Sequence, residues 1–353
     1  MPNSASWLLY GANGYTGKLI AEEAARRKLR PIVAGRNEQA VAQLASKLGC
    51  EARVFELNDP HRVATHLEGI TAVLNCAGPF SRTARVLIEA SIHQRVHYLD
   101  ITGEWEVIEH AAAQNARAVE AGISILPAVG FDVVPSDCLA AMLADRLPSA
   151  TQLQLAFAGT GGFSPGTAKT ILEALPRGGR ARIEGVIRQV PIAWKVMEVP
   201  FRDGKKQAMT IPWGDIASAY YSTGIPNIEV YLAAPRRQIA WARRLRRVLP
   251  VARLGIVQKL AARLIDRRIR GPSERERASE RSSFWGRVSD RRGRQASATL
   301  ETLSGYQLTV ETALASLERV LAGHTPKGFA PPSKAFGKEF ILEIRDTDFQ
   351  WQD

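Results

Sequence analysis

The chain has 353 residues, which is enough for two domains that each have a core of their own. Apolar residues make up 45% and charged residues 23%, a balance that is typical of globular proteins and excludes a disordered chain. The three cysteines lie far apart and form neither a disulfide framework nor a zinc motif, which favours a reducing compartment. The first residues lack a signal-peptide pattern, and no apolar run reaches the ~20 residues of a membrane span, so we expect a cytoplasmic protein.

The net charge of +12 is concentrated in one segment. Residues 236–270 carry twelve Lys and Arg side chains and one acid, Asp266. The excess of positive charge is therefore a local feature that needs an explanation separate from the fold.

Short apolar runs alternate with longer amphipathic runs over residues 1–130. Alternation at this spacing requires right-handed crossovers and a parallel sheet that is covered on both faces. It predicts an α/β domain over residues 1–130, a Rossmann-type doubly wound parallel sheet. The predicted strands are 7–10, 31–34, 52–56, 72–75, 96–100 and 123–126, and the predicted helices include 14–27, 38–48 and 104–121.

The pattern changes after Pro148, where apolar and polar residues alternate as in a half-buried antiparallel strand. We therefore predict a second, α+β domain with a mixed sheet over residues 131–353. Pro135 suits the first turn of a helix at 134–147. Further helices are predicted at 167–175 and 310–321, and strands at 152–158, 183–190, 227–233, 283–290, 296–303 and 339–344.

A glycine-rich turn follows the first predicted strand and opens the first helix. Small residues at this place allow a tight turn, close approach of a pyrophosphate to backbone, and close packing of helix on strand. The helix also presents free N–H groups and the positive end of its dipole to phosphates. Glycine turns also occur for structural reasons alone, but this context favours dinucleotide binding by Gly11, Asn13, Gly14, Tyr15, Thr16 and Gly17.

The end of the second strand indicates which dinucleotide is bound. A protein that uses NAD places Asp or Glu there for the ribose hydroxyls, whereas this chain has Arg36 followed by Asn37. An arginine can form a forked contact with a 2′-phosphate, so we predict NADP. The alternative is that Arg36 is a solvated residue at the start of a helix.

Later strand ends should line the same crevice, because ligands bind at the carboxyl ends of such sheets. Asp59 follows the third strand and is expected beside adenine. After the fourth strand, small residues would let the nicotinamide half pass close to backbone: Cys76, Ala77, Gly78, Pro79 and Phe80. Asp100 ends the fifth strand and Glu104 follows it, and each is either a helix cap or, with Gly103, a substrate contact.

These motifs resemble a known family. The chain has GANGYTG at 11–17, AGR at 34–36, CAGPF at 76–80, YLDITGE at 98–104 and GFDVVPSD at 130–137. In this order they resemble the saccharopine dehydrogenase-like oxidoreductases, in particular the trans-acting enoyl reductases. The likeness continues in GTAKT at 166–170, IPWGD at 211–215, STGIPN at 222–227 and FGKEF at 336–340.

The resemblance implies reduction by NADPH of a carbon–carbon double bond in a lipid or polyketide intermediate. Other members act on amino-acid imines, and a non-catalytic protein that senses NADP or docks on lipid is a third alternative. Enzymes that act on saccharopine need cationic side chains to bind this dicarboxylic substrate. The candidate site segments of this chain contain no convergent set of arginines. We expect a small hydrophobic substrate, with Phe131 among its contacts.

Hydride transfer needs a proton donor beside the acceptor carbon. The candidates are Asp132, Lys169, Tyr220 and Tyr221. Asp132 could instead cap the following helix, and the tyrosines could be core residues. None of the seven tyrosines has lysine four residues later, which excludes the short-chain dehydrogenase mechanism. The six histidines form no convincing metal motif, and we predict no metal site.

The basic segment 236–270 consists of two amphipathic halves that meet at Pro250. Such a segment can lie on an anionic membrane, or it can be a solvated helical insertion whose apolar stripe packs on its own domain. It lacks interleaved aromatic residues beyond Trp241, so we expect no nucleic acid partner. Peripheral contact with the inner face of a membrane and a homodimer remain open alternatives.

Overall fold

The computed structural model describes residues 6–159, 178–245 and 280–352. The chain divides into two compact units. The first comprises Met1–Val134 and Leu308–Phe336, and the second comprises Pro135–Gln307 and Gly337–Asp353. The helix predicted at 167–175 and the part of the basic segment beyond residue 245 lie outside the described residues.

The strands, numbered in chain order, are β1 (Trp7–Tyr10), β2 (Ile32–Gly35), β3 (Ala52–Val54), β4 (Ala72–Asn75), β5 (His97–Asp100), β6 (Ser124–Leu126), β7 (Gln152–Gly159), β8 (Gly179–Ile183), β9 (Val186–Val190), β10 (Val196–Phe201), β11 (Gly204–Thr210), β12 (Asn227–Ala233), β13 (Arg281–Ser289), β14 (Gln295–Leu303), β15 (Gly328–Phe329) and β16 (Asp348–Gln352). The helices are α1 (Tyr15–Arg26), α2 (Glu38–Leu48), α3 (Pro60–Thr65), α4 (Phe80–Gln94), α5 (Trp105–Ala113), α6 (Asn115–Ala121), α7 (Val134–Arg146), α8 (Asp215–Thr223), α9 (Arg236–Leu245), α10 (Gly305–Leu321) and α11 (Pro332–Phe336).

The first unit is a parallel sheet in the order β15-β6-β5-β4-β1-β2-β3. Every strand pair in this sheet is parallel, and β1 lies between β2 and β4. The chain therefore adds β2 and β3 on one side of β1, and then adds β4, β5 and β6 on the other side. This reversal opens a crevice at the carboxyl ends of β1 and β4, where doubly wound folds bind ligands. The predicted α/β fold is confirmed.

The C-terminal part of the chain returns to the first unit. Buried side chains of α10 recur at helical spacing and join the core formed by β1 and α1: Val310, Ala313, Leu314, Leu317 and Val320. β15 then pairs with β6 at the edge of the sheet. The predicted division at residue 130 is therefore wrong for 308–336, because this apolar face is buried in the dinucleotide-binding unit.

The second unit contains a mixed sheet in the order β10-β11-β12-β7-β13-β14-β16, with β8 on β12 and β9 on β8. The β7–β12 pair is parallel, whereas β7–β13 and β13–β14 are antiparallel. Helix α7 packs closely on β13, because a Cβ on Gly286 would lie 2.6 Å from Cδ1 of Leu143. The predicted mixed sheet is confirmed.

Three predicted elements differ from the structure. The helix at 104–121 is two helices, because the chain leaves helical geometry at Gln114 (ψ 2°). The strand at 183–190 is a hairpin, β8 and β9, whose turn holds Glu184 and Gly185 at positive φ. The segment 339–344 contains a 3₁₀ helix, Phe340–Glu343, rather than a strand.

Candidate functional site

The predicted glycine turn joins β1 to α1. Gly11 has φ +79°, and a Cβ there would lie 2.7 Å from the backbone nitrogen of Ala77. A Cβ on Gly17 would lie 2.3 Å from the carbonyl oxygen of Gly11. Neither position has room for a side chain, since the atoms in the way belong to the backbone. The two glycines thus hold the turn against both α1 and the loop that follows β4.

The open side of this turn has the features of a phosphate cradle. Gly14 is exposed and stands at the N-cap of α1, where no side chain caps the helix. Tyr15 and Thr16 begin the helix and are half-buried. The Asn13 side chain lies over the end of β2, since a Cβ on Gly35 would be 2.9 Å from its Oδ1. A pyrophosphate fits these residues, because an uncapped helix start attracts an anion.

Arg36 follows β2 and is exposed. Within the described part of the chain, its guanidinium has no hydrogen bond or ion pair. Tyr10 ends the adjacent strand; burial raises the pKa of its hydroxyl to about 12, and the positive charge of Arg36 opposes that rise. Arg36 is therefore an available cation at the edge of the crevice, as a 2′-phosphate contact requires.

Two predicted cofactor residues act as helix caps. Oδ1 of Asn37 accepts a hydrogen bond from the Ala40 N–H (3.0 Å) at the start of α2. Oδ1 of Asp59 accepts one from the His61 N–H (2.9 Å) at the start of α3. Both side chains thus have a structural role, and their contact with the cofactor stays a prediction.

The loop after β4 is held by a buried asparagine that sequence reasoning missed. Oδ1 of Asn75 accepts a hydrogen bond from the Ala77 N–H (3.0 Å), and its Nδ2 donates to the Thr83 hydroxyl (3.2 Å). That hydroxyl donates to the carbonyl of Ala77 (2.6 Å). Gly78 is exposed, and a Cβ there would meet only the Phe80 ring, at 3.7 Å. The loop Cys76–Phe80 is thus fixed in place, with an open face at Gly78.

Cys76 is not an activated nucleophile. Burial raises the pKa of its thiol, and the negative charge of Asp100 raises it further. The thiol therefore stays protonated, and a small apolar lining is the role that its surroundings support.

Of the two roles that the sequence left open for Asp100, the structure shows hydrogen bonds to backbone and to Tyr98, and a contact with substrate stays a prediction. Its side chain is 0% exposed, and burial raises its pKa to about 6. Oδ1 accepts hydrogen bonds from the N–H groups of Thr102 (3.0 Å) and Ala128 (2.8 Å), and Oδ2 accepts one from the Tyr98 hydroxyl (2.7 Å). Ala128 has φ +61°, a strained conformation for a residue with a Cβ. Asp100 therefore fixes the loops after β5 and β6.

Glu104 also binds backbone. Its carboxylate accepts hydrogen bonds from the N–H groups of Phe80 (2.7 Å) and Ser81 (2.9 Å), the first two residues of α4. Burial raises the pKa of this carboxyl, and the two backbone hydrogen bonds oppose the rise. Glu104 is thus a helix cap, the alternative that the sequence left open, although it caps α4 and not the helix that follows it.

Asp132 is a titratable group at the same edge of the sheet. Its carboxyl lies over Gly103, where a Cβ would be 2.6 Å from Oδ2. Burial raises its pKa from 3.8 to about 7, and the negative charge of Glu104 adds to the rise. The neighbouring Phe131 is half-buried, and its N–H donates to the Thr309 hydroxyl (3.1 Å). Asp132 can therefore exchange a proton near neutral pH.

The other predicted proton donors are not in this unit. Tyr220 and Tyr221 lie on α8 of the second unit, half-buried, with ring centroids 5.8 Å apart. The Arg182 guanidinium lies 4.1 Å from the centroid of the Tyr220 ring. Lys169 lies outside the described residues. Their catalytic role stays a prediction.

The described residues contain no group of three or more His, Cys, Asp or Glu side chains that could hold a metal ion. None of the described helices is long and apolar enough to cross a membrane.

The parallel sheet and the glycine turn define the first unit as a dinucleotide-binding domain. Residues 7–126 match the family model of the saccharopine dehydrogenase NADP binding domain. This part of the chain is therefore similar to that family of domains, and its dinucleotide is NADP.

Comparisons with individual proteins extend the similarity. A Mycobacterium tuberculosis protein, provisionally named a trans-acting enoyl reductase, is 32% identical over 188 residues, which is 49% of this chain and 45% of that protein. The saccharopine dehydrogenase-like oxidoreductase of Bos taurus is 29% identical over 150 residues, 37% of this chain and 35% of that protein. The chain thus matches less than half the length of either relative.

A solved structure shares the fold of nearly the whole chain. Apo saccharopine dehydrogenase (L-Glu forming) from Saccharomyces cerevisiae aligns with a TM-score of 0.68 at 12% identity, over 99% of this chain and 100% of that one. The likeness shows that the mixed sheet of the second unit, like the parallel sheet, follows the saccharopine dehydrogenase fold.

Proposed function

We propose that the chain is an NADPH-dependent oxidoreductase that reduces a carbon–carbon double bond of a hydrophobic enone or enoyl substrate. The observation that carries the proposal is the position of Asp132, whose carboxyl rests on Gly103 at the edge of the sheet where the cofactor turn lies; burial raises its pKa, which suits a proton donor. The name of the Mycobacterium tuberculosis relative supports the enoyl class. A small hydrophobic substrate agrees with the apolar residues Phe80 and Phe131 in the neighbouring loops.

Reduction of a double bond adds a hydride to one carbon and a proton to its neighbour, so that the π electrons form the second C–H bond. NADPH, when bound, supplies the hydride. The glycine turn would hold the pyrophosphate, Arg36 the 2′-phosphate, and the loop Cys76–Phe80 the nicotinamide half. Asp132 would donate the proton and recover one from water.

The choice of cofactor can be tested by titrating NADPH and NADH against the protein and against Arg36→Ala. Loss of a charge-assisted contact costs about 2 kcal/mol, so we expect NADPH binding to weaken by roughly 30-fold. NADH has no 2′-phosphate, and its affinity should change little. Equal affinity of the unaltered protein for both cofactors would contradict the role of Arg36.

The reaction class can be tested by following NADPH oxidation with unsaturated ketones, enoyl thioesters and imines. Turnover of the first two classes supports the proposal, with Gly17→Ala as the variant that cannot bind cofactor. Turnover of imines alone would assign the chain to amino-acid chemistry. Tight NADPH binding without turnover of any class would favour a non-catalytic NADP-binding protein.

A further inference from the structure

Glu104 lies between the two parts of the candidate site along the chain and binds one of them. It follows Gly103, the residue on which Asp132 rests, and its carboxylate binds the first two N–H groups of α4. Helix α4 begins immediately after the loop that we assign to the nicotinamide half. Residue 104 is therefore adjacent to the seat of the proton donor, and its side chain binds the helix that follows the cofactor loop.

The start of α4 has no cap of its own. Pro79 occupies the N-cap position and supplies no side-chain hydrogen bond, and the first turn contains no acid. Two N–H groups and the positive end of the helix dipole therefore depend on a carboxylate from 24 residues away along the chain. Removing that carboxylate would release the loop that precedes the helix.

The charge of Glu104 also acts on Asp132. A second negative charge close to a buried carboxyl disfavours its ionisation. Asp100 lies at the same strand end, but its carboxylate is bound to the Thr102 and Ala128 N–H groups and to Tyr98. Glu106 acts in turn on Glu104. Glu104 is thus the charged group that raises the pKa of Asp132.

We propose that Glu104 is a positioning residue that fixes the cofactor loop through the start of α4 and acts through its charge on Asp132, whose carboxyl rests on the preceding residue, Gly103. The inference rests on the proposed function, since it assigns Glu104 a part in the same proton transfer. It also replaces the direct substrate contact that the sequence suggested for Glu104.

The test compares Glu104→Gln with Glu104→Asp. The glutamine keeps the length and one acceptor but removes the charge, so the decline of reductase activity with pH should move down by about one pH unit. The aspartate keeps the charge but is one methylene shorter and loses reach to α4. It should weaken NADPH binding several-fold while the pH at which activity declines stays in place. A merely structural role would move neither pH profile.

A second measurement does not require turnover. In a double-mutant cycle of Glu104→Gln and Asp132→Asn, the two substitutions should be coupled in thermal unfolding at pH 8 and uncoupled at pH 4, where both carboxyls are protonated. Coupling in a protein that reduces nothing would uphold the charge effect of Glu104 and reject the proposed function. Zero coupling at both pH values, or an unmoved pH profile in Glu104→Gln, would overturn the inference.

Discussion

Replacement of Asp132 by asparagine removes the proton that we assign to the reaction while it preserves the shape of the side chain. General acid catalysis contributes about 10²–10⁴-fold to a rate, so kcat/KM should fall by at least about 10². NADPH binding should change little, because the glycine turn and Arg36 are unaltered. In the unaltered protein, activity should decline as the pH rises through about 7, where Asp132 loses its proton.

The same substitution should change how the free energy of unfolding depends on pH. The pKa of Asp132 is about 7 in the folded protein and 3.8 in its ordinary state. Between these values the folded chain binds one more proton than the unfolded chain, so the free energy of unfolding rises as the pH falls from 7 to 4. At 1.36 kcal/mol per pH unit the change is on the order of 4 kcal/mol, an upper limit because the half-buried carboxyl retains some water.

The amide in the Asp132→Asn variant does not titrate, so the advantage of the variant in the free energy of unfolding should be greatest above pH 7 and smallest below pH 4. The assay is calorimetric unfolding of both proteins at pH 4, 6 and 8, together with pH profiles of NADPH oxidation. Glu120→Gln, an exposed acid of the same unit, is the matched control. An Asp132→Asn enzyme that keeps the decline near pH 7 would refute the role of this carboxyl.

Three further predictions concern the surroundings of single residues. Gly17→Ala should abolish NADPH binding in a titration, because its Cβ would lie 2.3 Å from the Gly11 carbonyl oxygen, whereas Gly159→Ala, which meets no atom of the described residues within 4 Å, should bind normally. Asp100→Ala should lower the free energy of unfolding by about 3 kcal/mol, since two buried N–H groups lose their acceptor, and Asp100→Asn should cost much less in the same denaturant titration. If the basic segment docks on anionic lipid, Trp241→Ala should reduce co-sedimentation with phosphatidylserine vesicles at low salt, because Trp241 is 63% exposed on α9 among four arginines. Trp351→Ala is the control for that assay, and equal sedimentation of both variants would reject the docking.

The sequence predicts the first unit well because its signals are local. The glycine turn, the buried strand runs and the caps all lie within a few residues of the elements that they define. The hairpin of β10 and β11 was missed, although Asp203 in its turn and Gly204, which begins β11 at φ +119°, are residues typical of turns. The return of α10 could not be predicted, because an apolar helix face indicates burial but not the domain that covers it.

The roles of the carboxylates at the site were also hard to predict, because they depend on contacts between distant segments of the chain. Asp100, Glu104 and Asp132 all lie at or just beyond the carboxyl ends of parallel strands. A carboxylate in that place can bind a ligand or accept hydrogen bonds from backbone N–H groups. Donors from distant segments decide between these roles: Ala128 for Asp100, and Phe80 with Ser81 for Glu104. Hydrogen bonds from such donors fix each carboxylate in place and oppose the rise in pKa that burial causes. Burial and the charge of Glu104 both raise the pKa of Asp132, to about 7 against about 6 for Asp100, and this makes Asp132 the candidate proton donor.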